Sequence, residues 1–103
     1  MANFTTTQQD SKLYIAITGS FIFDDRKKFR AIYENDLDLA NIEQIEIDLI
    51  NCKYLDSSAI EMLLMLKECF NGNQENIHLI LTNNKDVSKL IQISQLDKLF
   101  TIK

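Results

Sequence analysis

Apolar residues in this chain switch repeatedly between a two-residue spacing and a helical spacing, and that alternation restricts the fold more than any other feature. Phe4 to Gln8 reads as a first strand, and Leu13-Tyr14-Ile15-Ala16-Ile17 as a clearer second one. Gln9-Asp10-Ser11 between them predicts a hairpin. From Asp24 to Asn35 the period changes: Phe29, Ile32 and Tyr33 fall on one helical face, with Asp24 and Asp25 at the positive end of the helix. Ile45, Ile47 and Leu49 then alternate as a strand, and Ser57 to about Phe70 is again helical. The nearly continuous apolar run from Ile77 to Thr82 predicts a strand covered on both faces. Val87, Leu90 and Ile91 mark a third helix over Val87–Ile93, and Leu99–Ile102 closes the chain as a short strand.

The expected order is therefore β-β-α-β-α-β-α-β. Strands alternating with helices imply right-handed crossovers. The fold class is an α/β domain spanning residues 1–103, with a mostly parallel mixed sheet, an N-terminal hairpin at one edge and three main helices. Proline is absent and glycine occurs only at Gly19 and Gly72, so nothing resembles a flexible linker. Turns fall instead to polar clusters such as Asn71-Gly72-Asn73 and Asn83-Asn84.

Composition removes several function classes. A content of 46% hydrophobic and 25% charged residues is that of a globular protein, not a disordered one. A net charge of −4 disfavours nonspecific binding to nucleic acid or to an anionic membrane. No stretch approaches the roughly 20 apolar residues of a membrane span. The N-terminal residues lack a basic end and an apolar signal core, so a cytoplasmic protein without membrane insertion is expected, with Cys52 and Cys69 reduced.

Candidate chemistry is sparse. His78 is the sole histidine and lies within an apolar run, where a packed or edge-facing strand histidine is the expectation. It has no second histidine or cysteine pair at ligand spacing to complete a metal site. No glycine-rich loop is present to cradle nucleotide phosphates, and no nucleophile elbow surrounds a serine. Cys52 reads as structural. Asp24-Asp25 and Asp36/Asp38 read as caps and solvated turns. The chain is expected to be no enzyme and to need no cofactor or metal.

One junction remains. Asp56-Ser57-Ser58 lies between a strand and a helix, and Ser58 with Glu61 has capping-box spacing. On that reading Ser58 holds the helix and Ser57 stands just outside with a free hydroxyl. If the helix starts one residue earlier, the roles swap. On helix physics alone, capping outweighs phosphorylation. A phosphate on Ser57 would nevertheless meet the open N–H groups of a helix start and add about −1.5 to −2 charges beside Asp56.

Leu55-Asp56-Ser57-Ser58-Ala59-Ile60, preceded by the alternating strand and followed by Met62-Leu63-Leu64, resembles the signature of the STAS domain, the family named for sulfate transporters and anti-sigma factor antagonists. Thr18-Gly19-Ser20-Phe21, with Asp24 opening the next helix, resembles the family's glycine-containing turn. Ala59 stands where the family usually has glycine. Length and element order are similar to those of a stand-alone bacterial antagonist.

The resemblance implies a phospho-regulated, protein-binding switch. Ser57 would be the acceptor, Asp56 the carboxylate that shapes the site, and Ser58 a cap or contact. Phe21, Phe23 and Asp24 would help dock the partner from the neighbouring loop. The implied partners are an anti-sigma factor with serine kinase activity and a metal-dependent serine phosphatase, which would bring the ATP and the metal themselves. Met62 and Met65 lie on one arc of the second helix; a wide buried face is the first expectation and an adaptable contact surface the second. The basic run Arg26, Lys27, Lys28 and Arg30 reads as a solvated face that could meet an acidic partner. Two other roles found among STAS proteins stay open: regulation of biofilm or polysaccharide production without a sigma factor, and a non-catalytic subunit of a lipid-transport ABC complex.

Overall fold

Strand β2 (Lys12–Phe21) is the longest in the sheet, and the other elements are arranged around it. The structure, a computed structural model, describes residues 2–34, 41–70, 76–81 and 84–103. The turn expected at 71–73, the strand end at Thr82, and Asp36, Asp38 and Asn83 lie outside those residues. β1 (Asn3–Gln9) pairs antiparallel with β2 across a tight turn in which Asp10 takes a left-handed φ of 56°. On the other side β3 (Gln44–Asp48) runs parallel to the first half of β2. β5 (Ile77–Ile80) and β6 (Thr101–Ile102), both parallel, complete the order β1-β2-β3-β5-β6.

The sequence reading misses one strand. β4 (Cys52–Leu55) pairs parallel with the second half of β2, where the register shifts between Gly19 and Ser20. Gly19 has φ 85°, a conformation that costs glycine little, and its N–H donates to Asn51 O at 3.2 Å. Only Cys52 and Leu55 of β4 are buried, so the strand has no two-residue alternation to betray it. Its place comes from β2 and from Asn84, whose Nδ2 reaches Leu49 O (2.6 Å), Ile50 O (3.2 Å) and Cys52 O (2.7 Å).

One face of the sheet carries the core. Leu13, Ile15, Ile17, Ile45, Ile47, Ile77 and Leu79 are all fully buried, while their alternates Tyr14, Ala16, Gln44, Glu46, Asp48, His78 and Ile80 are only half-buried. The strand at Ile77 is therefore covered on one face, not on both as expected, because α1 (Arg26–Glu34), α2 (Ser57–Cys69) and α3 (Lys85–Ile93) supply their apolar residues to a single core cluster. The open face is held by polar pairs: Tyr14 OH donates to Asp48, and Glu46 accepts Lys12 at 2.8 Å and Lys103 at 3.4 Å. His78 Nδ1 lies 3.2 Å from Gln44 Nε2. Phe4, Phe21 and Phe29 meet with ring centroids 5.1–5.7 Å apart and tie the hairpin to α1.

Candidate functional site: the start of α2 and the Phe23 loop

The chain leaves β4 still extended at Asp56, with φ −92° and ψ 177°, and then turns directly into α2. Asp56 is the cap. Its Oδ1 accepts the Ala59 N–H at 2.8 Å, and the Ile60 N–H closes the first helical bond on Asp56 O at 3.2 Å. Ser58 is therefore not the cap that its spacing with Glu61 predicts, and Ser57 is the first helical residue instead of standing outside the helix. The physical reason is the missed strand: β4 carries extended backbone through Leu55, so the first carboxylate after it reaches the open N–H groups before either serine can. Both serine hydroxyls are thereby released from structural duty. Ser57 is exposed and Ser58 half-buried.

Asp56 has a second partner. Its Oδ2 accepts the Phe23 N–H at 3.0 Å, which binds the start of α2 to the loop after β2. That loop is a 3-10 turn over Phe23–Asp25, so α1 begins at Arg26 and not at Asp24. Asp25 is a cap, one of its two expected roles, and not a solvated turn residue. It is fully buried, accepts the Ala2 N–H at 3.1 Å on each oxygen and the Ile22 N–H at 3.0 Å, and lies 3.9 Å from Lys28 Nζ. A buried carboxylate held by several donors fixes the loop's path. Asp24 is exposed.

The expected docking residues divide accordingly. Phe21 is fully buried between Phe4 and Phe29, so it supports the loop from beneath and cannot touch a partner. Phe23, two residues on, is 50% exposed, with the Arg26 guanidinium 4.1 Å above its ring. Met62 is nearly buried, whereas Met65, one turn along, is 52% exposed. α1 and α2 enclose a groove of about 300 Å³ whose lining includes Phe23, Arg26, Lys27, Ser58, Met62 and Met65. Around this groove and loop, Phe23, Asp24, Ser57 and Met65 are exposed and Ser58 is half-buried. Met62 and Met65 share one helical arc, yet the first is buried and the second exposed, a difference that helical spacing alone does not reveal.

The remaining candidates for chemistry take structural places. Burial pushes the Cys52 thiol up, so the thiolate is disfavoured, and its Sγ lies 3.4 Å from Tyr54 O. Cys69 is exposed and free. Among the described residues no three His, Cys, Asp or Glu side chains are placed to share a metal ion, and no helix is long and apolar enough to cross a membrane.

The family model described as "Mlab, STAS domain" matches residues 4–101. The chain belongs to the STAS family. A STAS-domain containing protein of Pseudomonas aeruginosa strain UCBPP-PA14 is 38% identical over 92 residues, covering 88% of this chain and 87% of that protein. Among solved structures, an anti-sigma factor antagonist from Mycobacterium paratuberculosis superposes with a TM-score of 0.77 at 16% identity, covering 99% of this chain and 85% of that one. The Bacillus cell fate determinant SpoIIAA in its phosphorylated form superposes with a TM-score of 0.64 at 16% identity, covering 98% and 91%. At such identities the two structures establish a shared fold. This STAS domain has the architecture of the anti-sigma factor antagonists, and its Asp56-Ser57-Ser58 segment starts the second helix of that architecture.

Proposed function

We propose that this STAS domain, residues 1–103, is a cytoplasmic, non-catalytic anti-sigma factor antagonist switched by phosphorylation of Ser57. Unmodified, it binds an anti-sigma factor that is itself a serine kinase; phosphorylated, it releases that partner, and a metal-dependent serine phosphatase resets it. The observation that carries this reading is the double engagement of Asp56. With the cap supplied by its Oδ1 and the Phe23 loop held by its Oδ2, the adjacent Ser57 hydroxyl is exposed and structurally spare.

The electrostatics support the sign of the switch. A phosphate at the first helical residue is tolerated by the open N–H groups and the dipole of α2, so the fold accepts it. It would also set about −1.5 to −2 charges beside Asp56 and within the surface shared by Phe23 and Met65. Modification then changes binding while leaving folding nearly untouched. The phosphorylated form of SpoIIAA, a protein of the same fold, is consistent with a STAS domain carrying such a group.

The test is affinity capture with the unmodified protein and its Ser57→Ala and Ser57→Asp variants. The alanine variant is expected to retain a histidine-kinase-like ATPase, and the aspartate variant to lose it by tenfold or more. Equal retention by both variants would refute the switch. Capture of a permease with its ATPase would favour the transport-subunit role instead.

A further inference from the structure

The two edges of the sheet are built differently. β6 is two residues long and is followed by Lys103, which reaches Glu46. Such an edge is protected by brevity and by charge. β1 is seven residues long, lies at the other edge, and is exposed at every position except the half-buried Phe4. Charged residues make up 25% of the chain, yet Asn3–Gln9 contains none, and it has no proline, glycine or bulge. Three consecutive threonines at its centre favour extended backbone. Its outward N–H and C=O groups are an open template with none of the usual guards.

We infer that β1 pairs antiparallel with β1 of a second copy, joining two sheets edge to edge. The register that engages all seven residues places Thr6 opposite Thr6 of the second copy, Thr5 opposite Thr7, and Asn3 opposite Gln9. A neutral strand can face its own copy without the repulsion that a charged one would meet, although each copy carries a net charge of −4. Asp10, exposed and in no ion pair among the described residues, comes opposite Ala2 of the second copy. There Lys28 Nζ is held 3.2 Å from Ala2 O and 3.9 Å from the buried Asp25 carboxylate, so Asp10 meets a cation that already has one acidic partner. Strand pairing over seven residues buries less than the roughly 1,200 Å² of a stable interface, so the dimer dissociates on dilution.

Sedimentation equilibrium over a concentration series tests this, together with a disulfide trap in a Cys69→Ser background. The mass is expected to rise above 12.0 kDa with concentration. Thr6→Cys, at the symmetric position, is expected to cross-link under mild oxidation, because directly opposed Cα atoms lie within disulfide range. Asn3→Cys, facing Gln9, is expected not to cross-link. Thr6→Lys, at an exposed site, abolishes the dimer while leaving the thermal midpoint unchanged, and Asp10→Lys weakens it. A mass fixed at 12.0 kDa at every concentration, or equal cross-linking at Asn3 and Thr6, overturns the inference.

Discussion

Replacing Asp56 with alanine removes two backbone partners at once. The Ala59 N–H loses its cap at 2.8 Å, and the Phe23 N–H loses its acceptor at 3.0 Å. An N-cap is worth about 1 kcal/mol. A hydrogen bond to a charged acceptor is worth about 1.5–3 kcal/mol when buried, and exposure of Phe23 lets water recover part of that. The sum is about 2 kcal/mol. At about 4–8 °C per kcal/mol for a domain of this size, the thermal midpoint should fall by roughly 8–16 °C. Asp56→Asn keeps an oxygen for the cap and should cost less than about 1 kcal/mol. Ser58→Ala should change stability by no more than about 0.5 kcal/mol, as for a residue with no structural bond. Urea unfolding of the three variants, read by circular dichroism, separates the possibilities. A larger cost for Ser58→Ala than for Asp56→Ala would refute Asp56 as the cap, since Ser58 would then hold the helix and be unavailable for signalling.

Other substitutions test the frame around the site. Asn84→Ala strips Leu49 O and Cys52 O of their donor and Val87 N–H of its cap, so it should cost about 2–3 kcal/mol in urea unfolding. Phe21→Ala should cost about 3–5 kcal/mol as a core deletion, while Phe23→Ala should stay within about 0.5 kcal/mol yet weaken partner capture. The Tyr14 phenol, donating to Asp48, is pushed up to about 12 from 10.0. The native state thus holds that proton more tightly than the unfolded chain, and stability should decline as pH rises from 10.0 towards about 12. Tyr14→Phe should flatten that decline in alkaline unfolding curves.

Where a segment has its own periodicity, the sequence is enough to place it. Ile45 and Ile47 alternate because one face of β3 is buried, and Phe29 and Tyr33 repeat helically because α1 buries one stripe. β4 has no such signal: its four residues are a strand only because β2 bends at Gly19 to receive them. The expected helix start at Ser57 holds, but that omission gave the cap to Ser58. It also hid the second role of Asp56, which links residues 33 positions apart. Phe21 and Phe23 are alike in type and nearly adjacent, yet one is core and the other surface. The 3-10 turn pinned by buried Asp25 separates them, and a carboxylate whose donors include the distant Ala2 leaves no local pattern. Met62 and Met65 likewise share an arc of α2 but differ in burial.

The central claim is that Asp56 holds the helix so that Ser57 can carry the signal. Site-resolved phosphopeptide mapping by mass spectrometry, on protein isolated from its own cells across growth conditions, tests it most directly. A phosphate on Ser57 whose occupancy changes with conditions, and none on Ser58, is the expected result. Phosphate found only on Ser58, or on neither serine in any condition, would contradict it.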